Sequence, residues 1–177
     1  VFGAGEAGGR DIRGRVHGVI VGQDAFALAG ARDGEGQAAY AVEVQREVPG
    51  LEGAAAVVLC DVGVLGETQG KGLADAVKRG AGLVAFLGDR TNEAVIGELR
   101  QLDLLPALVS AKRVPVPEPL GEWDRTHPVL RAFGATGTGN LRRVVFRDAF
   151  EVTPDEGSAV LARLAGGEPA LVAGSAG

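Results

Sequence analysis

A single cysteine among 177 residues excludes an internal disulfide and any zinc site built from paired cysteines. It leaves the compartment open, because many periplasmic domains also lack disulfides. Aromatic residues make up only 5% of the chain against 46% hydrophobic overall, so a core has to be assembled from Val, Leu, Ile and Ala. Side chains of that size suit parallel strands covered by helices. There is no lysine- or arginine-rich run, the formal net charge is -5, and the pI is near 5.1. A surface without a basic stripe cannot neutralise phosphates, which argues against a nucleic-acid partner. Arg142, Arg143 and Arg147 come nearest to a basic cluster, joined by Lys112 and Arg113 only if the fold gathers them. They read as a solvated strand edge. No apolar run reaches the ~18 residues that span a bilayer, so direct membrane insertion of this segment is not expected.

The glycine-rich opening contains Gly3, Gly5 and Gly8 at the spacing of a dinucleotide fingerprint. It follows no strand and opens no helix, so it fails the structural context that gives such a motif meaning. No phosphate-loop motif occurs, and neither a cofactor nor a metal is expected. Residues 1–14 read as a linker or poorly ordered arm, and 15–177 as one α/β domain. The chain starts at Val1 and stops at Gly177, just past a strand-like apolar run. Both ends read as those of a fragment, with the domain cut short at its C-terminus and any signal peptide or anchor outside it.

Along the chain, 16–21 reads as a strand, 25–31 has helical character before the glycine-rich 33–36, and 41–48 alternates as a half-buried strand with Val42 and Val44 on one face. Residues 54–62 are continuously apolar up to Asp61, as in a strand buried on both faces. A helix is predicted over 67–79, with Thr68 as N-cap, Lys78 and Arg79 in the last turn, and Gly80 as the left-handed residue that follows. Residues 82–87 form a second buried strand, and 91–101 a second helix capped by Thr91 or Asn92. Strand, helix, strand, helix in that rhythm means a βαβ unit and a parallel sheet. Beyond Pro106 the character changes. Pro115, Pro117 and Pro119 point to an extended loop or edge. Strands follow at 144–152 and 159–164, and a turn at Gly166-Gly167 brings 170–173 back as a hairpin. The expected fold is therefore α/β: a flavodoxin-like open, mainly parallel sheet with helices on both faces and added antiparallel strands near the C-terminus.

Open parallel sheets bind ligands beyond the carboxyl ends of their strands. Two such ends are legible, at Cys60-Asp61 and at Gly88-Asp89-Arg90. If the strands are neighbours, Asp61 and Asp89 share a rim, where a carboxylate holds a ligand hydroxyl or a cation, or simply caps the adjoining loops. Cys60 sits inside an apolar run, as an inert buried thiol does, although a thiol is in principle a nucleophile. His127, in Asp124-Arg125-Thr126-His127-Pro128, is either one half of a base-and-orienter pair or a loop histidine that fixes a proline turn. His17, in the first apolar run, reads as structural. The candidate ligand-binding set is Asp61, Gly88, Asp89, Arg90 and His127, with no catalytic residue assigned.

Several phrases together resemble a known family: Val57-Val58-Leu59-Cys60-Asp61-Val62, then Val77-Lys78-Arg79-Gly80-Ala81-Gly82-Leu83-Val84-Ala85-Phe86-Leu87-Gly88-Asp89, then Leu104-Leu105-Pro106-Ala107-Leu108, and later His127-Pro128-Val129-Leu130 with Phe133. Over roughly residues 38–173 the chain resembles the class I glutamine amidotransferase-like domains found C-terminally in bacterial membrane-anchored proteins of the aerotolerance type, often beside a von Willebrand factor A-like domain. Trehalose-utilisation-type domains are more distant cousins. The resemblance implies the amidotransferase-like fold and argues against the amidotransferase activity. Where catalytic members carry a cysteine on a glycine-flanked elbow, this chain has Gly88-Asp89-Arg90, and His127 is followed by Pro128-Val129 rather than by the glutamate of a His-x-Glu pair. An aspartate does not replace a thiolate in acyl transfer without further machinery. The expectation is a non-catalytic interaction or ligand-sensing domain of a larger, membrane-tethered protein. Its partners would be proteins or other domains of the same polypeptide, with a homo-oligomer as one form. Two other readings stay open: a hydrolase or carbohydrate-processing enzyme using Asp61, Asp89 and His127, and a structural oligomerisation domain. The sequence does not decide the compartment.

Overall fold

A computed structural model describes residues 2–3, 16–21, 40–45, 51–134 and 140–175. The remainder of the expected arm at 1–14, the helical stretch at 25–31 and the glycine-rich 33–36 lie outside the described residues. The chain divides into two compact units, Val1–Leu105 with Ser175–Gly177, and Pro106–Gly174.

The first unit contains β1 (Phe2–Gly3), β2 (Val16–Val21), β3 (Tyr40–Gln45), β4 (Ala56–Cys60), α1 (Glu67–Lys78), β5 (Gly82–Phe86) and α2 (Glu93–Gln101). The strands stand in the order β3-β2-β4-β5-β1. From β3 to β5 they are parallel, and β1 runs antiparallel to β5 with Phe2 opposite Val84. The β4–α1–β5 crossover is thus the βαβ unit that the alternation of apolar runs implies.

The parallel register sets Val57 opposite Leu83 and Leu59 opposite Ala85. All four are buried and, because side chains alternate along a strand, they share one face. Helix residues complete the apolar layer: Leu73, Ala74 and Ala76 from α1, and Val95, Ile96 and Leu99 from α2. Leu73, Leu99 and Val57 are the largest fully enclosed side chains, each worth roughly 1.5–3 kcal/mol of burial. On the opposite face Ala56, Val58 and Cys60 are half-buried and Phe86 is 59% exposed. The expectation that these two strands are buried on both faces is therefore corrected. Their unbroken apolar run reflects small or β-branched residues on a partly exposed face, and such residues are common at surfaces.

Both helices end as their chemistry requires. At α1 the Ala81 N–H reaches the Ala76 carbonyl and the Gly80 N–H that of Val77, with Gly80 at φ +101°. This is the closing motif in which a left-handed glycine satisfies the last carbonyls. At α2 the same bond runs from the Leu104 N–H to the Leu99 carbonyl, and Asp103, at φ 57°, takes the left-handed place. Aspartate is one of the few non-glycine residues that tolerate it. At the N-termini, Asn92 accepts the N–H groups of Ala94 and Val95. The N-cap of α1, however, is Gly66, whose own N–H is held by the Gln69 side chain, and not Thr68.

The second unit contains β6 (Ala107–Trp123), β7 (Val145–Pro154), β8 (Ala159–Leu164) and β9 (Pro169–Gly174), in the order β9-β8-β6-β7, with two short 3-10 turns between β6 and β7. Every ladder among them is antiparallel. The proline-rich stretch expected as a loop or edge lies instead within the long β6. The ladder accommodates it by slipping register between Val109 and Arg113 and again between Pro115 and Glu118, so that Pro117 falls inside an irregularity. At Pro119 the carbonyl accepts the Ala165 N–H, while it is Leu120 that donates to the Val144 carbonyl beside β7. The nitrogen of Pro119 is therefore turned away from β7, so its missing N–H costs the β6–β7 ladder no bond.

These observations overturn the expected fold class. The sheet is mixed rather than mainly parallel, since β1 and the whole second unit pair antiparallel. Two α-helices occur among the described residues, and they touch each other, with Gly70 against Glu98 and Leu102, so they stand side by side rather than on opposite faces. The physical reason is connectivity. Past Pro106 no α-helix separates one strand from the next among the described residues, and the short connections β7–β8 and β8–β9 can join strands only in antiparallel pairs.

Two glycines test this packing from opposite directions. Nothing lies within 4 Å of a Cβ built on Gly97 in α2, whereas one on Gly121 in β6 would sit 2.9 Å from the Ala165 Cα and 3.0 Å from the Leu164 carbonyl oxygen. Gly97→Ala is expected to raise stability by about 0.5–1 kcal/mol through helix propensity, and Gly121→Ala to lower it by about 1–3 kcal/mol, as read from urea unfolding.

Candidate functional site

The rim at the carboxyl ends of β4 and β5 is built from two short loops. Asp61 continues the ladder one residue past β4, donating its N–H to the Phe86 carbonyl at 2.9 Å. It then turns the chain with φ 48°, an uncommon conformation for a residue with a side chain. That twist sets its carboxylate over the turn after β5. Oδ1 accepts the Arg90 N–H at 2.8 Å, the Thr91 N–H at 3.2 Å and, at a long 3.4 Å, the Thr91 hydroxyl. Within the turn the Gly88 N–H reaches Thr91 Oγ1 at 3.1 Å, and the Thr91 N–H also points to the Gly88 carbonyl. Asn92, besides capping α2, donates from Nδ2 to the Gly63 carbonyl at 2.8 Å.

Gly88 is required here by close approach. A Cβ on it would lie 2.7 Å from Asp61 Cγ, inside contact distance. Gly63 similarly lies against Arg90: a Cβ built on it would sit 3.1 Å from the Arg90 Cβ. The two loops are therefore sewn together, with Thr91 buried between them and Asp89 and Arg90 exposed on the outside of the turn. Of the residues singled out in the sequence, the structure gathers Asp61, Gly88 and Arg90 through direct contacts, with Asp89 in the same turn. Thr91, considered there only as a helix cap, links Asp61 to Gly88. Its signal lay in the Thr-Asn pair opening α2, which serves two loops as well as one helix.

His127 belongs to the second unit, and its partners are local. Asp124 Oδ1 accepts from the Thr126 hydroxyl at 2.6 Å, the Thr126 N–H at 2.8 Å and the His127 N–H at 3.2 Å. The Thr126 hydroxyl, followed by its backbone N–H, holds the Asp124 carboxyl below the usual range. The His127 carbonyl accepts from Leu130 and Arg131, starting a short 3-10 turn, and Nδ1 receives a weak 3.4 Å bond from the Val129 N–H. Asp124 thus holds the histidine's backbone rather than its ring. Cys60 is half-buried at the end of β4, and burial pushes its thiol pKa up, away from the thiolate that would attack a substrate.

Among the described residues no three of His, Cys, Asp and Glu converge as metal ligands. A groove of 150 Å³ in the second unit is lined by residues that include Val114, Val116, Phe150 and Val152 together with Glu151 and Glu168. It is smaller than the roughly 300 Å³ at which small-molecule sites begin. Compared with family models, curated proteins and solved structures, the chain matches none.

Two predictions follow from the rim geometry. Asp61→Ala removes the acceptor for two backbone N–H groups and leaves alanine at φ 48°. It should cost about 2 kcal/mol or more in urea unfolding, and Asp61→Asn, which keeps an acceptor oxygen, clearly less. Iodoacetamide should alkylate Cys60 more slowly in the native chain than in the urea-unfolded chain at pH 8, where the raised thiol pKa leaves less thiolate. Equal rates would contradict that assignment.

Proposed function

We propose that this chain is a non-catalytic interaction domain, of the glutamine amidotransferase-like kind its sequence resembles, carried by a larger membrane-tethered protein. The observation that supports this most directly is the occupation of the strand-end corner. In the turn where an amidotransferase needs an accessible sulfur this chain has the carboxylate of Asp89, and the preceding Gly88 has no room for a side chain, because the Asp61 carboxylate fills the space a Cβ would take. That carboxylate is engaged by the backbone of the same turn. The one thiol stands a strand away at Cys60 with its pKa raised, and His127 is engaged in a turn of the other unit. Nucleophile, base and an oxyanion-binding corner within reach of one another are what acyl transfer needs, and the rim supplies a braced loop instead. No described helix is long and apolar enough to cross a membrane, so tethering would come from elsewhere in the polypeptide.

The test is turnover. Purified chain incubated with glutamine and simple amides should release no ammonia above the uncatalysed background, and Cys60→Ser should unfold at an unchanged temperature within about 1 kcal/mol of stability. Ammonia release that disappears in Cys60→Ser would overturn the proposal.

A further inference from the structure

We infer that β7 is a docking edge for a second copy of this chain, pairing antiparallel with its own counterpart about a two-fold axis at Ala149. The inference rests on the reading of the chain as an interaction domain and names a partner for it. β7 stands last in the strand order of the second unit, so among the described residues its outer edge meets no strand. Its inner edge is tied to β6 from the even-numbered positions, beginning with the Val144 carbonyl that accepts the Leu120 N–H and the Phe146–Glu118 pair next in register. The N–H and C=O of one residue in an antiparallel ladder point the same way and alternate along the strand. The odd-numbered residues from 145 to 153 therefore aim their backbone groups outward.

An open edge is usually blunted by charge. Of the three charges of β7, Arg147, Asp148 and Glu151, the first and last are opposite in sign and symmetric about a small residue, Ala149. Arg147 and Glu151 are both exposed and lie two residues either side of Ala149. Antiparallel self-pairing centred on Ala149 sets Arg147 opposite Glu151 of the partner subunit, twice by symmetry. It also sets Val145, which is 62% exposed, opposite Thr153, and Phe146 opposite Val152. Cross-strand pairs of these kinds are the unit of sheet stabilisation. Neighbouring registers are worse: centring on residue 147, 148 or 151 sets Arg147, Asp148 or Glu151 against its own copy, and centring on 150 leaves Arg147 opposite Thr153. The ladder to β6 points the same way. Its two register shifts fall across Arg147 and Glu151, the paired positions running from Phe146 to Asp148 and from Phe150 to Val152, so no β6 residue stands directly opposite either charge.

Sedimentation velocity over a concentration series up to high micromolar should show a reversible dimer. Arg147→Glu should weaken it by about tenfold or more by turning two attractions into repulsions, and the double exchange Arg147→Glu with Glu151→Arg should restore it. Ala149→Pro removes the outward N–H at the axis, a change an edge strand tolerates, and should leave a monomer with unchanged far-UV circular dichroism. A chain that stays monomeric throughout, or a dimer indifferent to Arg147→Glu and Ala149→Pro, overturns the inference. Glutamine turnover measured on the same samples separates the two claims: turnover removes the non-catalytic reading, whereas a monomer without turnover removes only the docking edge.

Discussion

The carboxylate of Asp61 joins the ends of two parallel strands by accepting backbone N–H groups from the turn that follows the second. Much of the first unit's rim depends on this one acceptor. Parallel strands leave their carboxyl ends without hairpin partners, so the loops there must find acceptors for stray N–H groups or leave them to water. Asp61 supplies the acceptor only because its backbone adopts φ 48°, which aims the side chain across to β5 rather than along β4. The cost of that conformation is of the order of 1 kcal/mol, and two hydrogen bonds to a charged oxygen, at roughly 1.5–3 kcal/mol each, outweigh it.

The same arrangement explains why the corner is poor ground for chemistry. A nucleophile elbow works when a strained backbone exposes a side chain to substrate. Here the strained residue is Asp61, its side chain faces inward onto a turn, and the residue it faces is a glycine held to a bare Cα by contact. Strain of this sort often marks function, and which function depends on what the strained group touches. Asp61 touches backbone, so the strain is spent on fixing the β5–α2 turn and, through Thr91 and Asn92, the start of α2.

Legibility from sequence followed the range of the interactions. The β2, β4, β5 and β8 segments, both helices and the Gly80 terminus are written in local patterns: apolar runs of strand length, helical periodicity, an Asn cap, a glycine after the last turn. Gly66 as N-cap was not legible, because its stabilising partner is the side chain of Gln69, and glycine advertises nothing. Asp103 in the left-handed place after α2 was hidden for a related reason, since glycine is the residue one looks for there. The fold class failed on extrapolation. One genuine βαβ crossover at β4–α1–β5 was extended to the whole sheet, although the chain beyond Pro106 has no helical period between its strands. At the site, adjacency of Asp61 and the 88–90 turn follows from neighbouring parallel strands and could be anticipated. The identity of what Asp61 binds could not, because it depends on a single backbone torsion.

The second unit answers a different constraint. Three prolines in β6 deny it the N–H groups of a regular central strand, yet it is paired on both sides, to β7 along most of its length and to β8 at its end. It reconciles the two by slipping register twice, and each slip takes a β6 residue away from a charged residue of β7. Irregularity that would be a defect in the middle of a sheet is thereby transferred to the strand beyond it, where Arg147 and Glu151 lose a direct neighbour on one side while their backbone groups face outward on the other. A strand in that position is either kept apart by its charges or matched through them, and which of the two holds depends on their order along the chain. Arg147 and Glu151, opposite in sign and symmetric about Ala149, attract in an antiparallel copy and only Asp148 falls diagonal to its own counterpart, so charge protects this edge less than it ordinarily does.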